Sequence, residues 1–166
     1  LIGGDTVAYE WIMEAIRQGK HVVTANKALL ATRGNEIFAA AHEKGVMVSY
    51  EAAVAGGIPI IKAIREGLTA NRIQWLAGII NGTTNFILSE MRSRGLPFDE
   101  VLDEAQRLGY AEADPTFDVE GVDAAHKLAL LASIAFGIPV QFDKVYTEGI
   151  SGLVTEDIEH AERLGY

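Results

Sequence analysis

Cysteine is absent from all 166 residues. That excludes disulfides, thiolate nucleophiles and cysteine-ligated metals, and it suits the reducing cytoplasm, where the chain is expected to work. Positive charge is in deficit: 14 Lys and Arg stand against 23 Asp and Glu, a formal charge of -9. No Lys/Arg-rich run occurs, and nucleic-acid phosphate calls for a basic face, so a small molecule or a protein is the expected partner and nucleic acid is not. The longest apolar run, "LALLASIAFGI" at 128–138, falls well short of the ~20 residues that cross a bilayer and is interrupted by Ser133 and Gly137. It reads as a buried helix, and no membrane partner is expected. Internal repeats and low-complexity tracts are missing too. What remains is an ordinary globular composition, 49% hydrophobic and 22% charged, on a chain long enough to bury about 70% of its unfolded surface.

The chain opens at Leu1, without methionine, on "LIGGDT", a pattern expected at the tail of a buried strand entering a turn. An upstream segment is therefore expected. The last residues, "HAERLGY", stop just after a glycine helix stop, as though a further strand followed.

Asp5 suits an N-cap, and Ala8, Trp11, Ile12 and Ala15 recur at helical spacing up to Gly19. "HVVTA" at 21–25 predicts a strand, 35–44 a helix stopped at Gly45, and "VMVSY" at 46–50 a second strand. Helix, strand, helix, strand is the rhythm of a parallel α/β sheet. After Glu51 the pattern changes. "AAVAGGIP" is a turn of small residues, and Pro59 is placed to open a helix through "IIKAIREGL". Residues 72–80 predict a mostly apolar strand, 85–94 a helix stopped by Gly95, and 98–108 an amphipathic helix with Val101, Leu102, Ala105 and Leu108 on one face. An acidic loop follows, then an apolar helix over 121–136, an extended stretch "VQFDKVYTEGI", and a last helix capped by Thr155. The fold class is α/β and α+β: the tail of a Rossmann-like parallel nucleotide domain (1–50), an α+β substrate-binding and dimerisation domain (51–150), and the start of a segment returning to the nucleotide domain (151–166).

The stretch "GYAEADPTFDVEGVDAAHK" at 109–127 concentrates Glu112, Asp114, Asp118, Glu120 and Asp123 ahead of Lys127. A charge run is usually a solvated face, and Asp123 with Lys127 would then be an i,i+4 ion pair worth roughly 0.3–0.5 kcal/mol. A calcium loop fails, because alignment on Gly121 puts Thr116 at the first ligand position and Lys127 where a bidentate Glu is required. The helix carrying Lys127 favours a functional reading: from Ala124 to Phe136 almost every residue is apolar. Its ammonium must reach solvent or a cleft. A cleft with a carboxylate one turn away offers the balance of desolvation and charge that a proton-transfer lysine needs. The loop carboxylates would suit a substrate ammonium, such as that of a small amino acid with a reactive oxygen.

Other pieces carry less. "TANK" at 24–27 puts Asn26 and Lys27 past the C-terminal end of a strand, where open α/β sheets bind ligands, though a surface lysine there is equally common. "NGTTN" at 81–85 offers hydroxyls and close backbone approach, or a helix cap by Thr84. "EAAVAGGIPI" could offer carbonyls to a cation, although a plain turn is the simpler reading. His126 is expected on a helix surface rather than as a metal ligand, having no His or Cys at ligand spacing.

Together, "GKHVVTANKALLA", "EAAVAGGIPII", "GIINGTTNFIL", "EAQRLGYAEADPTFDVEGVDAAHKL" and "EDIEHAERLGY" closely resemble the homoserine dehydrogenases, in the same order and over essentially the whole chain. The resemblance implies interconversion of L-homoserine and L-aspartate 4-semialdehyde with NAD or NADP, in threonine, methionine and isoleucine biosynthesis. It makes Lys127 the catalytic proton donor and Asp123 the carboxylate holding substrate and lysine in register. Glu112, Asp118 and Thr83 become substrate-binding residues. Lys27, Asn26, Gly82 and Gly109 become cofactor neighbours, and Glu51, Val54, Gly56 and Ile58 a sodium site built from main-chain oxygens. A homodimer is expected, with the 72–80 strand contributing to it. The Gly-rich phosphate loop of such enzymes is not among these residues: Gly3-Gly4 and Gly56-Gly57 lack its spacing and its strand-to-helix setting. Two other readings stay open: another nicotinamide-dependent reductase of amino-acid metabolism, and a dimerisation domain that is not itself catalytic.

Overall fold

The structure, a computed structural model, describes residues 2–166. Helix α1 (Thr6–Arg17) buries Ala8, Ile12 and Ile16 on one stripe, the spacing that puts side chains over one another on successive turns. Strand β1 (Val22–Val23) pairs in parallel with β2 (Val48–Ser49), Val22 opposite Val48 and Val23 opposite Ser49. The ladder extends one bond to each side, from Val22 N–H to Met47 O and from Thr24 N–H to Ser49 O, both 2.9 Å. Among the described residues this is the whole sheet.

Helix α2 (Lys27–Lys44) starts eight residues earlier than its sequence pattern predicts. Asn26 is the reason: its side-chain oxygen accepts from Leu29 N–H at 3.1 Å, giving the helix its first cap. Leu29, Leu30 and Ala31 on the added turns are buried, so packing overrides the cost of the interior Gly34. The helix closes at Gly45, whose φ of 65° is left-handed and favours a residue without Cβ. A 3₁₀ turn (Glu51–Ala53) leads to α3 (Ile60–Lys62), which widens into a π turn over Ala63–Gly67.

Residues 72–80 form no strand. A ladder needs a partner edge, and none of the described residues supplies one; Trp75 and Ile79 stay 75% and 80% exposed. Helices α4 (Gly82–Arg94), α5 (Phe98–Arg107), α6 (Thr116–Val119), α7 (Val122–Phe136) and α8 (Thr155–Arg163) complete the chain. The stretch after Val140 is not simply extended, since Phe142–Lys144 turns as a 3₁₀ helix. Thr155 is the first residue of α8 rather than its cap. Val154 holds the cap position and donates its N–H to Asp157 Oδ2 at 3.1 Å.

The chain divides into two compact units, one of residues up to Ala77 with Ala125–Val145, the other of Gly78–Ala124 with Tyr146–Tyr166. The first has a core of Ile12 and Ile16 from α1, Leu29, Leu30 and Ile37 from α2, Val54, Ile61, and Leu130 from α7. Within it, Asn35 exchanges two 2.9 Å hydrogen bonds with the backbone of Val140, fastening α2 to the segment after α7. The second unit is cored by Ile87 and Met91 of α4, Val101 and Ala105 of α5, with Ala111 and Val119. Its α5 stripe is the 3.6-period face that the sequence shows for Val101, Leu102 and Ala105, whereas Leu108, past the end of the helix, is exposed.

Candidate active site

Within the second unit, "NGTTN" does more than cap a helix. Asn81, not Thr84, is the N-cap of α4: its Oδ1 accepts from Thr84 N–H at 2.8 Å and from Thr84 Oγ1 at 2.9 Å. The amide of the same side chain donates to Asp118 Oδ1 at 2.7 Å and to Asp123 Oδ2 at 2.9 Å. Asp123 is 4% exposed and Asn81 7%. Asp118 ends up half-buried and Glu112 exposed.

The acidic loop is fastened at several points. Thr83 donates its hydroxyl to Tyr110 O at 2.8 Å, and the Tyr110 ring leans on Phe86 at 4.9 Å between centroids. Gln106 on α5 donates to the carbonyls of Glu112 and Ala113 at 3.0 and 3.3 Å, which fixes the backbone from which the Glu112 side chain projects. Thr116 bonds Asp114 through both hydroxyl and backbone N–H, holding that carboxyl below the usual range. Glu120 belongs to the frame: its Oε1 accepts from Ser151 at 2.6 Å, and Ile150 N–H donates to Val119 O at 2.8 Å. Gly149 permits this clasp, because a Cβ there would collide with the Glu120 carboxylate. Gly82 and Gly109 are exposed, and a Cβ on either would meet nothing within 4 Å. Their backbones are open to close approach by a flat ring.

Asp123 stands in the first turn of α7 and Lys127 one turn further along the same helix; Lys127 is half-buried. Its neighbour His126 is not on the helix surface as its polarity predicts. It is 4% exposed and sets its ring edge-on to Phe142, 4.3 Å between centroids.

In the first unit Lys27 is the first residue of α2 and is half-buried. The Asn26 amide is already engaged: beyond capping α2 it donates to Gly4 O at 2.6 Å, which ties "GGDT" to the strand end. Direct binding of a cofactor by that side chain would have to displace these bonds. In the turn after β2, the Glu51 carboxylate accepts from Ile61 N–H and Lys62 N–H, each at 2.9 Å. Val54 is buried, Gly56 and Ile58 are exposed, and both Ala55 and Gly56 have positive φ, 60° and 55°. Each Glu51 carboxylate oxygen thus takes one backbone N–H. Among the described residues no group of three His, Cys, Asp or Glu could hold a metal, and no helix is long and apolar enough to cross a membrane.

Residues 2–51 match the family model for the homoserine dehydrogenase NAD binding domain, and residues 59–166 match that for homoserine dehydrogenase. The chain belongs to the homoserine dehydrogenase family. It is 74% identical to homoserine dehydrogenase of Pseudomonas aeruginosa over all 166 residues, which are 38% of that relative, and 51% identical to that of Bacillus subtilis over the same span, again 38% of the relative. A homoserine dehydrogenase from Thiobacillus denitrificans has the same fold, with TM-score 0.96 and 74% identity over 99% of this chain and 38% of its own. A hyperthermophilic archaeal homoserine dehydrogenase in complex with NADPH superposes with TM-score 0.82 at 32% identity, over 92% of this chain and 47% of its own. The chain thus spans less than half of these relatives. It joins a fragment of an NAD-binding domain to part of the following domain in a mixed α/β fold, mostly helical with a small parallel sheet.

Proposed function

We propose that the full-length protein interconverts L-homoserine and L-aspartate 4-semialdehyde with NAD or NADP, a cytoplasmic step towards threonine, methionine and isoleucine. The strongest support is the cluster in which Asn81 draws Asp118 and Asp123 together at the head of α7, one turn before Lys127. Glu112 and Asp118 bind the substrate ammonium, with Asp123 keeping substrate and lysine in register. Thr83 has its proton committed to Tyr110 O, so its oxygen serves as an acceptor. A bound nicotinamide cofactor would supply the hydride chemistry. Lys127 donates a proton to the oxygen that becomes the alcohol and recovers it in the reverse direction, a general-acid contribution of ~10²–10⁴ in rate.

The exposed backbones of Gly82 and Gly109 suit the cofactor ring, and Lys27 its polar groups, while Asn26 acts through the loop it ties down. A sodium ion would be held by the carbonyls of Glu51, Val54, Gly56 and Ile58. Residues 1–50 are assigned to the nucleotide-binding domain, 51–150 to substrate binding and dimerisation, and 151–166 to the returning segment. The 72–80 stretch, which forms no strand and exposes Trp75 and Ile79, supports a homodimer formed there.

The test is homoserine-dependent reduction of NAD(P)⁺ by the full-length protein. Lys127→Ala should remove about 10²–10⁴ of turnover with the fold intact, and near-normal turnover would refute the role. Glu112→Gln should raise the homoserine KM with little change in kcat; an unchanged KM would remove Glu112 from ammonium binding.

A further inference from the structure

We infer that Asn81 is the positioning residue that sets the two carboxylates for a cationic substrate group, an inference resting on the reading of the site given above. Four hydrogen bonds exhaust this buried side chain: two accepted from Thr84 and two donated, one each to Asp118 and Asp123. The Thr84 N–H faces only an oxygen, so the amide cannot turn over, and its NH₂ is held towards the carboxylates. One nitrogen thereby brings together two acids from different helices, α6 and α7, that would otherwise repel. A lysine or arginine there would also join them, but would cancel their charge. The neutral amide orders both carboxylates and adds no charge of its own, which suits the ammonium-bearing substrate proposed above.

The experiment compares Asn81→Ser and Asn81→Asp with wild type in the full-length protein. Both substitutes are good N-cap residues, so α4 keeps its cap while the amide donors are lost. For Asn81→Ser, loss of two buried bonds should raise the homoserine KM about 10- to 100-fold, with the cofactor KM within about twofold and the thermal midpoint within a few degrees. Asn81→Asp, adding a third acid, should be worse on the same measure. An unchanged homoserine KM, or a rise that merely tracks a fall in thermal midpoint, overturns the proposal. A crystal structure of Asn81→Ser reads the positioning without any substrate: the Asp118 and Asp123 carboxylates should move apart, and if they keep their places Asn81 does not position them. Wild-type protein inactive on homoserine would sink the substrate reading, and the crystal structure would still decide the part played by Asn81.

Discussion

Replacing Glu51 by Ala removes the acceptors of two N–H groups in the first turn of α3, Ile61 and Lys62, each bonded to the carboxylate at 2.9 Å. A hydrogen bond to a charged group contributes about 1.5–3 kcal/mol, and a half-exposed site sits at or below the low end of that range. The pair should therefore be worth about 2 kcal/mol, a factor of roughly 30 in the local opening equilibrium. Amide hydrogen exchange measured at residues 61 and 62 should accelerate by about that factor. Glu51→Gln keeps one acceptor, loses about 1 kcal/mol, and should show a factor of about 5. Glu66→Gln is the control. Its contact with Lys62 is 3.8 Å long between side chains 66% and 69% exposed, and such pairs contribute almost nothing, so exchange should stay within about twofold. If the 61 and 62 amides exchange at the wild-type rate in Glu51→Ala, the carboxylate does not secure this helix start.

Gly149→Ala should cost about 1–3 kcal/mol in urea unfolding, because the new methyl would collide with the Glu120 carboxylate and lie 3.0 Å from Glu120 Cα. Gly152→Ala, where nothing lies within 4 Å, should be neutral or stabilising by under ~1 kcal/mol; equal losses at both positions would refute the clasp. Glu36 titrates below the ordinary carboxylate range because Arg33, and then Tyr9, hydrogen-bond its charged form. Its contribution to stability is present above the unfolded carboxylate pKa and disappears as pH falls through the lowered folded value. Arg33→Ala should move the Glu36 carboxyl titration upward by NMR, and no movement would rule out the guanidinium as cause.

Elements with a local signal were legible. The α5 stripe and the long apolar α7 could be read to within a residue or so, since burial follows a 3.6-residue period and glycines mark the ends. So could the acidic run before Lys127. Other features depend on partners distant in the chain. Asn81 reaches Asp123 across 42 positions, and no spacing rule links an asparagine in a turn to an acid on a later helix. The 72–80 strand failed because β structure needs a second edge, whereas α2 was longer than its pattern because Asn26 and buried leucines outweighed Gly34. His126 read as surface from its polarity, but the fold set it edge-on against Phe142.

By itself the sequence determined which chemistry is present: acids concentrated before one lysine, no thiol, no basic face, and the motifs of a homoserine dehydrogenase. Tertiary structure alone decided which acids come together. Asp118 and Asp123 share the Asn81 amide, while Glu120 is drawn off to Ser151 and Gly149. Charge and helix period are properties of neighbouring residues, but a hydrogen bond is made at about 3 Å, and only folding brings distant residues that close.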